Sequence, residues 1–310
     1  MERLLITGVD RPIGLNLALA LGERFDVQGL YGNYAVESTS FRTTAWTGDD
    51  PLAWAALDGE PPRWIIHCPA SAPAAWDVPA SADPRGEPAC ALRLAAYAHE
   101  VGARLTVISS DVVFRGPRMF HDESTPLAAS CEAATAVRTL ELALAASRAL
   151  IVRTHAYGWS AVEEHAGFVE RLYSALAAGR APAIDGCRHA TPILATDLAG
   201  LLVRAYELRL EGVYHMGGAE RTSPFRLAME LAAAFGLAVP REMLLALPAH
   251  PEQHHAAETS LNSRRARRAL ELTTPLLREG LARFAAQQAN GHLKGVRVHG
   301  PIESLHEMAA

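Results

Sequence analysis

Lysine is nearly missing from this chain: Lys294 is the only one, so 28 of the 29 basic residues are arginines. Chemistry that needs an ammonium group inside the fold must find it near the C-terminus or use a guanidinium, which does not titrate near neutrality. Tyrosine is scarce too, with 7 residues in 310 and none between Tyr97 and Tyr157. No apolar run is long enough to cross a bilayer, and no small-residue cleavage site follows the opening MERLLITGV. A cytoplasmic chain without a membrane partner is expected. The four cysteines, Cys68, Cys90, Cys131 and Cys187, lie far apart. They lack the paired spacing of a zinc site and the density of a disulfide framework, so reduced, mostly buried thiols and no metal site are expected. An excess of basic charge is also lacking. The net charge is −5 and the pI near 6.2, which argues against the phosphate-backbone electrostatics of a nucleic-acid binder.

What the chain does have is ordinary globular composition, 49% hydrophobic and 20% charged, and a length suited to one large α/β unit or two joined domains. Leu4 to Gly8 reads as a short strand ending in a Gly turn, followed by an amphipathic helix over Ile13 to Leu21. Further strands are predicted at Val27 to Leu30, Trp64 to Ile66, Leu105 to Ser109 and Leu150 to Arg153, with helices at Leu92 to Val101 and Ala133 to Ser147. Strands alternating with helices of this length predict right-handed βαβ units and a doubly wound parallel sheet covered on both faces. Beyond residue 160 helices dominate, at Phe168 to Ala178, Thr196 to Leu208, Ser223 to Phe235 and Thr274 to Ala286. One late strand, Gly212 to His215, is expected to return to the sheet. The division expected is a dinucleotide-binding unit over 1–158, rejoined by segments near 190–217. A smaller mixed α/β substrate lobe over 159–286 follows, then an irregular or docked extension over 287–310.

Thr7-Gly8-Val9-Asp10-Arg11-Pro12-Ile13-Gly14 sets two glycines six apart at a strand-to-helix turn. Free backbone N–H groups and the helix dipole favour a pyrophosphate there. The dinucleotide fingerprint has a third glycine midway; Arg11 stands in its place, to pair with a phosphate or to fill the space. The acid expected about 20 residues further on, to hold the adenine ribose, is missing. The second strand instead runs Gly29-Leu30-Tyr31-Gly32-Asn33.

From residue 1 to about 286 the order of segments resembles the extended short-chain dehydrogenase/reductases, specifically the dTDP-4-dehydrorhamnose reductase family of sugar-nucleotide-binding proteins. The resemblance rests on Thr7 to Gly14, on Val107-Ile108-Ser109-Ser110-Asp111-Val112-Val113-Phe114 and on Val152-Arg153-Thr154-His155-Ala156-Tyr157-Gly158. It continues through Thr191 to Ala199, Gly212 to Met216, Thr222-Ser223 and Leu261-Asn262-Ser263. It implies a Rossmann-like fold, NAD or NADP as cofactor at Gly8, Arg11, Ile13, Gly14, Tyr31 and Ser109, and a nucleotide-sugar facing Arg188 and His189. It also implies a Tyr and a Lys four residues later on one helix, the tyrosine protonating a substrate carbonyl while the nicotinamide gives hydride. An unperturbed phenol, with a pKa near 10, relays protons poorly at neutral pH without a neighbouring cation. Counted from Asp122 to Glu141, that pair falls on Ala133 and Val137. Neither side chain can do the work, and no shift of register finds a Tyr and a Lys.

Ser110 remains at the hydroxyl position, with Asp111 beside it and His155 as a substitute proton donor with a pKa near neutrality. These are the candidate catalytic residues. Two readings follow: a diverged family member without standard reductase activity, or an active NAD(P)-dependent reductase or epimerase of a nucleotide-activated keto sugar. A nucleotide-sugar or other small molecule, a protein partner and a second copy of the chain are the partner classes. The family's regulatory subunit of methionine adenosyltransferase is a precedent for action by association. His67 reads as a pocket-wall histidine, His250, His254 and His255 as a solvated loop, and Asp197 as capping or beginning the helix from Leu198 to Leu208.

Overall fold

The computed structural model describes residues 1–46, 60–77, 87–182, 184, 186–245 and 258–301. Its centre is a seven-stranded sheet built from β1 (Arg3–Thr7), β2 (Asp26–Tyr31), β4 (Arg42–Ala45), β5 (Trp64–His67), β6 (Arg104–Ser110), β7 (Leu150–Thr154) and β10 (Gly212–His215). The order across it is β10-β7-β6-β5-β1-β2-β4, and every neighbouring pair is parallel. Two short sheets stand apart. β3 (Tyr34–Ser38) pairs antiparallel with β11 (Val296–Pro301), and β8 (Ala156–Tyr157) pairs with β9 (Ile193–Leu194). The helices are α1 (Pro12–Leu21), α2 (Glu87–Val101), α3 (Glu132–Ala143), α4 (Phe168–Ala177), α5 (Ala195–Glu207), α6 (Pro224–Phe235), α7 (Arg241–Leu245), α8 (Arg264–Leu270) and α9 (Leu277–Ala289).

Strand periodicity explains why both faces are covered. Along β1, β5 and β7 successive side chains point to opposite faces. Leu4, Ile6, Trp64, Ile66, Leu150 and Val152 enter one core, with Leu15, Leu17, Ala18 and Leu21 of α1 and Leu198, Leu201 and Leu202 of α5. Leu5, Ile65 and Ile151 enter the other, with Ala91, Leu94 and Ala98 of α2 and Leu140 of α3. The expected doubly wound α/β sheet is present. A third cluster holds the later helices together: Val169, Leu172, Leu227, Leu231, Leu281 and Phe284 surround Trp159, whose ring stacks on Phe284 at 3.9 Å.

Three features add to the sequence reading or choose between its alternatives. β4, three polar residues and an alanine, extends the sheet at its edge without any apolar alternation to announce it, because an edge strand need bury little. Of the irregular or docked extension expected, residues 296–301 take the docked form, as a strand whose main chain pairs with β3, which the sequence reading had not assigned. Of the two placements expected for Asp197, it begins α5 rather than capping it: the N-cap is Leu194, without a side-chain bond, and Asp197 in the first turn pairs with Arg283 of α9 at 2.7 Å. The loop holding His250, His254 and His255 lies outside the described residues.

The chain builds β1, β2 and β4 in one direction across the sheet, then returns to lay β5, β6, β7 and β10 in the other. The switch point is thus between β1 and β5. Ligands of open α/β sheets bind outside the carboxyl ends of the strands at such a point.

Candidate functional site

The turn after β1 is held by backbone packing. Gly8 has φ +72°, and a Cβ there would meet the Cys68 carbonyl oxygen at 2.5 Å. A Cβ on Gly14 would collide with the Gly8 carbonyl. Arg11 is the N-cap of α1, extended at φ −120°, and Pro12 occupies the first helical position. No side chain caps the first turn of α1, so its N–H groups remain available to an anion. Arg11 therefore stands at the mouth of a phosphate-shaped turn, half-buried.

The acid absent from the carboxyl end of β2 has a spatial counterpart. Asp10, 5% exposed, accepts from the Asn33 N–H at 3.0 Å, just beyond Tyr31 at the end of β2. Its own carbonyl accepts from or faces the His165 ring at 2.7 Å. A carboxylate thus lies beside the β2 end, contributed by the turn itself. Tyr31 is half-buried, and its carbonyl accepts from Trp46 N–H at 2.8 Å.

Ser110, Asp111 and His155 come together at the ends of β6 and β7, and all three are buried. The Ser110 hydroxyl donates to the Pro73 carbonyl and accepts from Val112 N–H at 3.0 Å. The loop after β5 therefore sits directly on it. Asp111 is fully buried and held on both oxygens. Oδ1 accepts from Ala75 N–H at 2.9 Å, and Oδ2 is 2.7 Å from His155 Nδ1 and accepts from Thr259 Oγ1 at 2.6 Å. The edge of Trp76 meets the His155 ring at 4.6 Å. Asp77 belongs to the same cluster: burial raises its carboxyl above the ordinary value, against the opposing pull of His155. Trp76, Asp77 and Thr259 were not anticipated, because residues so far apart in sequence carry no shared local pattern.

Arg188 and His189 reach this cluster indirectly. The Arg188 guanidinium lies over Phe168 at 5.9 Å, and Phe168 packs on Trp76. The His189 carbonyl accepts from Thr259 N–H at 2.9 Å, while its ring turns to the Cys187 carbonyl. Ser109 faces elsewhere. Its hydroxyl donates to Glu141 at 2.5 Å, and Glu141 forms a buried two-pronged pair with Arg153, the closest contact 2.6 Å. His215, beside Arg153, is pushed down to about 3 by burial and by that guanidinium. This network ties α3 to β6, β7 and β10.

On the neighbouring face of α3, Ala133 and Val137 are 2% and 0% exposed. They pack with Val112, Val113, Phe114, Ala129, Ala134 and Leu261, against Ala72 and Ala75 of the loop. The two positions to which the resemblance assigns a proton donor and an ammonium are thus closed inside an apolar cluster. Lys294 stands exposed in the turn before β11. A groove of about 980 Å³, lined by Phe25, Asp26, Thr39 and Arg42 among others, lies at the opposite, amino ends of β2 and β4 and takes no part in this site.

His67 ends β5 at the switch point. Its Nδ1 is 2.8 Å from Thr7 Oγ1 and its Nε2 is 3.5 Å from Glu87. Cys68, Cys90 and Cys187 are buried, Cys131 is exposed, and none is in a disulfide. Among the described residues no helix is long and apolar enough to cross a membrane.

Solved structures with the same fold include dTDP-4-dehydrorhamnose reductase from Bacillus anthracis in complex with NADP, 22% identical with a TM-score of 0.70, covering 92% of this chain and 99% of that one. The Bordetella bronchiseptica enzyme WbmG in complex with NAD is 16% identical with a TM-score of 0.70, covering 93% and 94%. Helicobacter pylori ADP-L-glycero-D-manno-heptose-6-epimerase is 15% identical with a TM-score of 0.71, covering 92% and 96%. No curated protein matches the chain. The model of the RmlD substrate binding domain family matches residues 2–290. With a parallel sheet, a glycine turn and a sequence match over nearly its whole length, the chain belongs to the RmlD substrate binding domain family.

Proposed function

We propose that this protein binds a nicotinamide dinucleotide or a nucleotide-sugar without carrying out the Tyr/Lys-assisted reduction of its family, and that it acts through ligand-dependent association. The observation that carries this reading is the apolar burial of Ala133 and Val137, together with the Ser110 hydroxyl committed to Pro73. The phosphate end of a dinucleotide is well served: Gly8 and Gly14 leave backbone room, α1 has an uncapped first turn, and Arg11 supplies a positive charge. Bound there, a nicotinamide supplies or accepts hydride. The residues that would protonate the substrate alongside it are not at the positions the family uses. Buried Ser71 Oγ and Trp76 Nε1 have no hydrogen-bond partner, which favours a polar ligand or water above the loop.

The test is thermal stability with millimolar NAD⁺, NADH, NADP⁺ and NADPH, followed by NAD(P)H oxidation with 4-keto sugar nucleotides. A ligand at 100 times its dissociation constant adds about 2.7 kcal/mol, several degrees for a chain of this length. A shift with at least one cofactor and no turnover is expected. No shift with any of the four, and none with a nucleotide-sugar, overturns it. The second reading, an active reductase or epimerase, is favoured by the Asp111–His155 pair, which orients the imidazole as a proton donor. Substrate-dependent turnover lost in Ser110→Ala and His155→Gln would establish that reading instead.

A further inference from the structure

We propose that His67, Glu87 and Cys90 form a binding site for one zinc-type divalent cation at the switch point of the sheet, beside the glycine turn. His67 closes β5, while Glu87 and Cys90 stand three residues apart in the first turn of α2 and so share a face. One donor atom from each lies within 4.8 Å of the others. A tetrahedral zinc with N, O and S donors at 2.0–2.3 Å separates those donors by about 3.3–3.8 Å. The His67 Nε2 to Glu87 Oε2 distance, 3.5 Å, falls in that range and is long for a hydrogen bond.

A second, independent observation points into the same space. His67 is 2% exposed, and its Nε2 is buried without a hydrogen-bond partner. The other ring nitrogen is engaged: Nδ1 lies 2.8 Å from Thr7 Oγ1. In the tautomer where Nδ1–H donates to that hydroxyl, Nε2 presents its lone pair toward Glu87 and Cys90, the arrangement by which outer partners orient a ligating histidine. Glu87 is held in the same manner, with Oε1 accepting from Ala70 N–H at 2.9 Å and Oε2 left facing His67.

The donor set selects the metal. Imidazole, carboxylate and thiolate together suit zinc, whereas magnesium and calcium demand oxygen ligands. Three protein donors leave a fourth position for water or an anionic oxygen. Sequence spacing conceals the set, since 67, 87 and 90 show no Cys-x-x-Cys or His-x-x-x-His signature.

The full-length protein, stripped with a chelator, is titrated with Zn²⁺ and with Co²⁺. One Zn²⁺ per chain, a rise in melting temperature, and a thiolate-to-cobalt charge-transfer band in the near ultraviolet are expected. Cys90→Ser should abolish the band. Cys90→Ser and His67→Gln should each weaken Zn²⁺ by more than about 100-fold, beyond the loss of an outer partner, while Cys131→Ser leaves it unchanged. Circular dichroism of the metal-free variants confirms that they fold; if one does not, the cobalt spectrum of the unaltered chain decides. A cobalt spectrum without the thiolate band, zinc retained in both variants, or zinc lost only on replacing His250, His254 and His255 overturns the proposal. The readout is metal binding alone, separate from any cofactor-induced shift.

Discussion

The glycine turn and helix α3 stand at the same end of the same sheet, yet they present a ligand with different things: one backbone, the other side chains. A turn of this kind binds phosphate with backbone N–H groups and a helix dipole, so it requires mainly that two Cβ atoms be absent, here at Gly8 and Gly14. Proton donation requires particular side chains, and α3 offers Ala133 and Val137 in an apolar cluster. Binding that rests on the backbone tolerates side-chain changes that catalysis resting on side chains does not. Helix α3 retains a different role, anchoring Glu141 to Arg153 across the sheet.

The sharpest test of that structural role is Glu141→Ala. Removing the carboxylate leaves the Arg153 charge buried and unpaired, and a loss of 3–5 kcal/mol is the usual cost. Urea denaturation should show it, with any cofactor-induced shift retained in the protein that remains folded. Gly14→Ala strikes the turn instead: the added Cβ meets backbone that cannot move aside, and about 3 kcal/mol together with the cofactor-induced shift should be lost. If Gly14→Ala keeps that shift, the turn is not where the ligand binds.

Rebuilding the missing pair would break the comparison from the other side. Ala133→Tyr with Val137→Lys overfills a closed cluster, so about 2 kcal/mol of destabilisation and no NAD(P)H oxidation are expected. Turnover in that variant would show that only the side chains had been wanting. The smallest effect is a pH dependence. Burial and Arg153 hold His215 down to about 3, so the unfolded chain, with a histidine near 6.5, binds the proton first. Stability is then full above pH 6.5 and lost as the pH falls toward 3, by about 2 kcal/mol at pH 5. His215→Gln should flatten that acid limb in thermal melts from pH 7 to 5.

Much of the fold was legible because its signals are local. The short unbroken apolar runs Leu4 to Ile6 and Trp64 to Ile66, and the glycine spacing from Gly8 to Gly14, fall within single elements. The polar edge strand Arg42–Ala45 and the docked strand Val296–Pro301 were not legible, since main-chain pairing to a neighbour stabilises them more than any apolar pattern of their own. In the site, Ser110, Asp111 and His155 were named from the sequence, and the structure brings them together. No acid stands at the carboxyl end of β2, and Asp10 fills that neighbourhood from the turn.

The sequence alone determined the doubly wound sheet, the glycine turn and the apolar character of positions 133 and 137, because periodicity, glycine spacing and residue identity act over a few neighbours. Only the tertiary structure decided that Pro73 covers Ser110, that Thr259 joins Asp111 from 148 residues away, and that His67 meets Glu87 and Cys90. Such contacts are made when loops from separate strands converge at one end of the sheet, and no local pattern records where a loop comes to rest.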